Sequence, residues 1–319
     1  MMNKFISFVI PCYRSEHTIE IVVEEIDTLM QSHTDYRYEI VLVNDYSPDN
    51  VWEKIVNLAE KRENIKAVSF AKNFGQHAAL MAGYRVAEGD IVVSLDDDGQ
   101  TPVDETFVLI DKLNEGYDVV YARYHQLKES LWRRCGSWLS NKMSEVLIGK
   151  PKEILGSSFY AMKNFVAKEM VKYKNSYPFV GGLVFRSTKS IANVYVNHRD
   201  RLEGTSGYSF LKLFKLWMNG FTAFSVIPLR ASSLIGVICA ILGFIFGIVT
   251  IVRKLLYPGI SIGWSSTVSI MLFMGGLIML MLGMIGEYIG RIYISLNNSP
   301  QYVIKETVNL ETTNPKDNT

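Results

Sequence analysis

The sequence predicts an α/β protein: a mainly parallel, Rossmann-like sheet in a large N-terminal domain, followed by two transmembrane helices. Three observations carry this. Up to about residue 122, short apolar runs alternate with segments of helical periodicity, which is the pattern of βαβ units. Polar and charged residues gather directly after those runs, where open α/β sheets bind ligands. Finally, Ser232–Val252 and Ser265–Ile285 contain no charged residue. Each is about 20 residues long, enough to cross a hydrocarbon core of roughly 30 Å as a helix.

Taken in order, Phe5–Ile10 is the first predicted strand, ended by Pro11. Thr18–Gln31 places Ile19, Val22, Val23, Ile26, Leu29 and Met30 on one helical face. Tyr38–Val43 is the second strand, and Asn44–Asp49 is its turn. Val51–Arg62 is a helix and Ile65–Phe70 a third strand. A helix follows from about Gln76 to Ala87. Ile91–Leu95 is the fourth strand, apolar without alternation and therefore buried on both faces. Thr106–Asn114 is helical, and Asp118–Ala122 is the fifth strand. Two basic segments with tryptophans, about 127–149 and 209–224, have the character of amphipathic helices at a membrane interface. Glu306–Thr319 is polar and is expected to be disordered.

The implied organisation has three parts. Residues 1–228 form a cytoplasmic catalytic domain that includes both interfacial segments. Residues 229–290 form a transmembrane hairpin with spans of about 232–252 and 265–285, and residues 291–319 form a cytoplasmic tail. The opening residues flow straight into a strand pattern and contain no signal peptide. The large domain is therefore expected on the cytoplasmic side of the inner membrane, with the connector Arg253–Trp264 on the other side. A net charge of +1 gives no electrostatic case for nucleic acid as a partner. Cys12, Cys135 and Cys239 show no metal-binding spacing and fit a reducing compartment.

The fourth strand ends in Asp96-Asp97-Asp98, followed by Gly99-Gln100. Three adjacent carboxylates repel one another unless a cation sits among them. A divalent ion holding a diphosphate suits such a place, because Mg²⁺ takes one or two carboxylates plus substrate phosphates. Tyr13, Asp45, Lys72 and Arg123 also follow the carboxyl ends of predicted strands.

Several segments carry a resemblance to a known family. They are Asn73-Phe74-Gly75-Gln76-His77 with Met81-Ala82-Gly83, Tyr208-Ser209-Phe210 with Pro228-Leu229-Arg230, and Gly286 through Tyr293. In this order and spacing the chain, from Ser7 to about Lys305, resembles the family 2 glycosyltransferases of the GT-A fold, and more narrowly the polyprenyl-phosphate glycosyltransferases. The resemblance implies a GT-A nucleotide-sugar-binding domain. Pro11 and Tyr13 would pack on the base and Asp45 would contact it, with Lys72 and Asp97 also on the nucleotide side. Asp96, Asp98 and Gln100 match the DxD-x-Q motif that holds Mg²⁺ or Mn²⁺. Arg123, Arg133 and Ser137 match the acceptor-phosphate cluster. Arg201, Gly204, Ser206 and Tyr208 match an R-x-x-G-x-S-x-Y segment of the active site, with His198 before it.

The chain departs from the family pattern in three places. Arg14-Ser15 replaces Asn-Glu, and Asn44-Asp45-Tyr46-Ser47 replaces Asp-Asp-Gly-Ser. Ser158 stands where many relatives carry Asp. The Q-x-x-R-W motif of processive synthases is absent.

The expected activity is inverting, metal-dependent transfer of a sugar from a UDP-linked donor to undecaprenyl or another polyprenyl phosphate at the bilayer surface. The product would serve cell-envelope glycan modification. Two competing readings are a non-catalytic membrane subunit that binds nucleotide sugar or lipid phosphate, and a nucleotidyltransferase. Gly236, Gly243 and Gly247, with Gly275, Gly276 and Gly283, are compatible with a homo-oligomer and equally with hairpin packing.

Overall fold

The computed structural model describes residues 4–124, 145, 151–197, 227–257, 263–296 and 299–310. The chain divides into two compact units, one built on a sheet and one made of two long helices. Both segments expected as interfacial helices, about 127–149 and 209–224, lie outside the described residues apart from Glu145.

The first unit holds strands β1 (Lys4–Cys12), β2 (Tyr36–Asn44), β3 (Ile65–Phe70), β4 (Ile91–Ser94), β5 (Val119–Tyr124), β6 (Tyr160–Lys163), β7 (Ile191–Val196) and β8 (Ile304–Val308). They form one eight-stranded sheet in the order β7-β5-β6-β4-β1-β2-β3-β8. The pairings of β1 with β2 and β4, of β2 with β3, and of β5 with β7 are parallel. β6 runs antiparallel between β4 and β5, and β8 runs antiparallel along β3. The helices are α1 (Ile19–Gln31), α2 (Val51–Lys61), α3 (Gln76–Val86), α4 (Thr106–Asn114), α5 (Asn164–Met170) and α6 (Val180–Ser187).

The central strands are buried because helices cover both faces. β1 is buried from Ile6 to Cys12, which is why its sequence shows no alternation. The apolar face of α1 packs into the same core as Phe8, Ile10 and Leu42. α3 lies so close to the sheet that a Cβ at Gly83 would come within 2.3 Å of Val9 Cγ1.

Two expectations need correction. β1 does not end at Pro11 but continues to Cys12, with Pro11 in register with Val43. Val9 accepts from Leu95 N–H on the β4 side. Strand alternation turns the missing N–H of Pro11 to that same side, beyond the last β4 pair at Val9 and Ser94, so no ladder bond is lost. β6, a strand without a counterpart in the sequence pattern, separates β5 from β4. Glu306–Val308 is not disordered: with Ile304 and Lys305 it forms edge strand β8. Tertiary contacts fix it there. Ala71 N–H donates to Val303 O at 2.9 Å, Trp52 Nε1 donates to Glu306 at 2.9 Å, and the Tyr302 ring stacks on Phe70.

Among the described residues, the second unit holds α7 (Ile227–Leu256) and α8 (Trp264–Leu296). Within α8, Phe273–Gly290 is long and apolar enough to cross a membrane, with a mean hydropathy of 1.6 and none of it buried inside the protein. α7 carries a shorter apolar run, Ser233–Val249. Large side chains such as Phe244, Met271 and Phe273 are exposed on this unit.

Candidate active site

Four adjacent strands of the first unit, β4, β1, β2 and β3, are each followed by a residue of left-handed backbone. Arg14 (φ 59°) follows β1, Tyr46 (φ 52°) follows β2, Gly75 (φ 91°) follows β3 and Gly99 (φ 72°) follows β4. Glycine adopts this conformation freely, whereas for arginine and tyrosine it is strained. Non-glycine residues of this kind cluster at functional sites. Two of the departures from the family pattern, Arg14 and Tyr46, occupy these turns.

The turns are tied to one another by side chains. Arg14 N–H donates to Ser47 Oγ at 2.7 Å, and Glu16 N–H donates to Asp49 at 3.0 Å, which joins the ends of β1 and β2. Ser47 N–H in turn donates to Asn44 Oδ1 at 3.0 Å. Asp45 joins the ends of β2 and β3. Its Oδ1 accepts from Phe74 N–H at 2.7 Å, its Oδ2 from Gly75 N–H at 2.8 Å, and its carbonyl from Asn73 at 3.1 Å. Burial raises the pKa of Asp45, opposed by those two N–H donors. Its carboxylate is thus committed to the loop entering α3.

The acid triplet does not form a three-carboxylate cage. Asp97 turns toward β1, where its Oδ2 accepts from Tyr13 N–H at 2.8 Å and its carbonyl from Thr18 Oγ1 at 2.5 Å. Burial pushes the Asp97 carboxyl up to about 6, with the Asp96 charge adding to it and hydrogen bonds from Ser15 and Tyr13 opposing it. A backbone N–H from the turn after β1 thus serves one member of the repelling set. Asp96 Oδ1 accepts from Gln76 Nε2 at 2.9 Å, and Asp98 Oδ1 accepts from Gln100 N–H at 3.0 Å.

Among the described residues, no three His, Cys, Asp or Glu side chains converge as a metal cage. The residues expected at a metal, Asp96, Asp98 and Gln100, offer hard oxygens and are too few to complete a cage. This set fits Mg²⁺ or Mn²⁺ bound together with phosphate oxygens of a substrate.

The other expected site residues are distributed as follows. Pro11 is buried within β1, and Tyr13 is exposed with the Arg14 guanidinium 5.5 Å from its ring centre. Lys72 is exposed, its ammonium 5.0 Å from the Phe74 ring centre. Arg123 stacks on Tyr195, its register partner on β7, at 5.0 Å. Arg133, Ser137, His198, Arg201, Ser206 and Tyr208 lie outside the described residues.

Sequence reasoning assigned no role to Gln76, Thr18 or Tyr124. Burial first, then the charge of Asp96, pushes the Tyr124 hydroxyl up to about 12, so it stays protonated beside the acids. The signal for Gln76 lay in Gly75-Gln76, a glycine turn opening a helix just past a strand end.

Comparison with known proteins agrees with this geometry. Residues 7–176 match the model of glycosyl transferase family 2, and residues 227–292 match that of the GtrB C-terminal hairpin. The chain is 32% identical over 317 residues to the undecaprenyl-phosphate 4-deoxy-4-formamido-L-arabinose transferase of Photorhabdus laumondii, covering 98% of this chain and 96% of that one. It is 33% identical to the enzyme of the same name from Yersinia enterocolitica, covering 97% and 95%. It is also 33% identical to the uncharacterized glycosyltransferase YkcC of Bacillus subtilis, covering 96% and 94%. Among solved structures, glucosyl-3-phosphoglycerate synthase of Mycobacterium tuberculosis, in complex with Mn²⁺ and UDP-glucose, has a similar fold. The TM-score is 0.52 at 19% identity, covering 69% of this chain and 77% of that one. The sheet is therefore that of the GT-A fold. With the acids at the end of β4 and a family match through the sheet that holds them, the chain belongs to glycosyl transferase family 2 and is a glycosyltransferase.

Proposed function

We propose that this glycosyltransferase moves a sugar from a UDP-linked donor to undecaprenyl phosphate at the cytoplasmic face of the inner membrane, with inversion at the anomeric carbon. The observation that carries the reading is the near full-length match to two undecaprenyl-phosphate transferases, which spans both the sheet unit and the helical hairpin. α7 and α8 are read as two membrane spans, supported by their exposed apolar surface and by the hairpin match.

The donor nucleotide is assigned to the carboxyl ends of β1 and β2, with its base near Tyr13. Asp45 serves it by fixing the loop of residues 73–75. Asp96, Asp98 and Gln100 would hold Mg²⁺ or Mn²⁺ on the diphosphate, with Asp97 securing the turn to β1. When bound, the ion would neutralise charge developing on the departing diphosphate.

The acceptor phosphate is assigned to Arg123, Arg133 and Ser137, because a guanidinium fork matches phosphate oxygens. Arg201, His198, Ser206 and Tyr208 complete the proposed active site. A phosphate oxygen of the acceptor attacks the anomeric carbon, and the bond to UDP breaks. This nucleophile needs no dedicated base, since a phosphate monoester is already largely ionised at neutral pH, with a second pKa near 6. The Ser158 departure is therefore compatible with turnover.

The test uses purified full-length protein, undecaprenyl phosphate, Mn²⁺ or Mg²⁺, and a panel of UDP-sugars, with UDP release and mass spectrometry of the extracted lipid as readouts. A glycosyl-phosphate lipid that disappears with EDTA is the expected result. UDP binding with no product from any donor would instead support a binding subunit, and release of inorganic diphosphate would support a nucleotidyltransferase.

A further inference from the structure

Gln76 is the first residue of α3, and its side chain is exposed. Its amide nevertheless reaches across to β4 and donates from Nε2 to Asp96 Oδ1 at 2.9 Å. The backbone that presents it is held firmly. Both oxygens of Asp45 clamp the N–H groups of Phe74 and Gly75. Gly75 then turns through φ 91°, and its carbonyl starts the helix by accepting from Ala78 and Ala79 at 3.0 and 3.2 Å. A chain of direct contacts thus runs from the end of β2 through the β3–α3 loop to a carboxylate at the end of β4.

The chemistry of the contact is selective. A lysine or arginine at position 76 would neutralise Asp96 and compete with a bound cation. An amide N–H orients the carboxylate while leaving its charge intact. Carboxylates that ligate metals are commonly held by such an outer hydrogen bond.

We propose that Gln76 is a positioning residue of the metal–diphosphate site, holding Asp96 in the orientation that the cation requires, with Asp45 as its anchor. This inference rests on the transferase reading for the identity of the ligand as a divalent ion on a nucleoside diphosphate.

The experiment compares the full-length wild type with Gln76→Leu and Gln76→Ala in detergent micelles. Mn²⁺ binding in the presence of UDP is titrated by electron paramagnetic resonance, and thermal melts are run in parallel. Both variants are expected to bind Mn²⁺ about 10- to 100-fold more weakly, with melting temperatures unchanged because the side chain is exposed. The apparent KM for Mn²⁺ should rise more than kcat falls. Wild-type Mn²⁺ affinity in both variants overturns the proposal, as does a wild-type chain that binds no Mn²⁺ with UDP. A wild type whose Mn²⁺ binding depends on Gln76 but which yields no glycosylated lipid upholds the role of Gln76 and overturns the transferase reading alone.

Discussion

Two clusters of carboxylates are built on the same central strands, and they are satisfied in opposite ways. In the first, Glu39 of β2 is only 3% exposed. Its Oε1 accepts from Ser7 Oγ at 2.5 Å and from Glu88 N–H at 2.7 Å, while Lys66 bridges its Oε2 and the Glu88 carboxylate at 2.7 and 2.8 Å. Gly89 N–H donates to Ser7 Oγ at 2.8 Å and packs so tightly that a Cβ there would come within 2.6 Å of Ser7 N. Burial alone would lower the Lys66 pKa, but the two glutamates outweigh it and raise it. The cluster brings its own cation and joins the loop after α3 to the sheet. In the second cluster, at the carboxyl ends, Asp45, Asp96, Asp97 and Asp98 accept from backbone N–H groups and a neutral amide. Four left-handed turns surround them. The same residue chemistry is closed by a buried lysine in one place and, in the other, is ringed by turns of which two, at Arg14 and Tyr46, carry strain.

The sharpest way to break this comparison is to remove one acid from each cluster. Asp98→Ala is expected to lower transfer by about a thousandfold or more, the scale of several kcal/mol of lost charge stabilisation. Its melting temperature and membrane insertion should stay at wild-type values. Glu39→Ala is expected to cost about 3–5 kcal/mol of stability, because it leaves Lys66 half-paired and the Ser7 and Glu88 donors without their acceptor. Thermal melts in micelles alongside UDP-release assays separate the two. Equal loss of stability in both variants would erase the distinction.

Much of this was legible in the sequence, and the reason is physical. β1 and β4 announce themselves because buried parallel strands are continuous apolar runs, and α1 and α2 because they are strongly amphipathic. Once strand ends are known, Tyr13, Asp45 and the acid triplet fall at the carboxyl edge. The antiparallel additions are not legible in this way. β6 is four residues of mixed character, and β8 reads Ile-Lys-Glu-Thr-Val with four of its five residues exposed. β8 is a strand because the β3 edge needs a partner, a tertiary demand that no local pattern reports. The reversal of Asp97 toward Tyr13 and the reach of Gln76 to Asp96 are likewise contacts between residues distant in sequence.

Acid titration sharpens the comparison next. His77 follows Gln76, its ring meets Phe179 edge-on, and its Nδ1 is buried with no hydrogen-bond partner among the described residues. Burial lowers its pKa from 6.5 to about 4. Between those values the unfolded chain binds more protons than the folded one, so stability is full above about 6.5 and is lost as pH falls toward 4. The expected contribution is about 3 kcal/mol. Asp97, raised from 3.8 to about 6, acts with the opposite sign over much of the same window. The measurement is therefore a difference: melting temperature against pH for the wild type minus that for His77→Leu. A difference curve that is flat between pH 6.5 and 4 would remove His77 from the account.

The smallest expected effect concerns the strain itself. Tyr46 occupies a left-handed turn with φ 52°, where the family pattern has glycine, and its ring is 55% exposed. For a residue with a Cβ that backbone costs roughly 1–2 kcal/mol. Substituting glycine also loosens the unfolded chain, which offsets about 0.4–1 kcal/mol of the relief. Tyr46→Gly should therefore gain only about 0.5 kcal/mol, a small upward shift in melting temperature. If the strain is retained for the ligand, the same substitution should weaken UDP binding, because an exposed aromatic ring beside Asp45 is a stacking surface for a base. Higher stability with unchanged UDP affinity would mean the turn is merely tolerated. Higher stability with weaker UDP binding would mean that the carboxyl edge gives up stability for its nucleotide, in contrast to the closed cluster around Glu39.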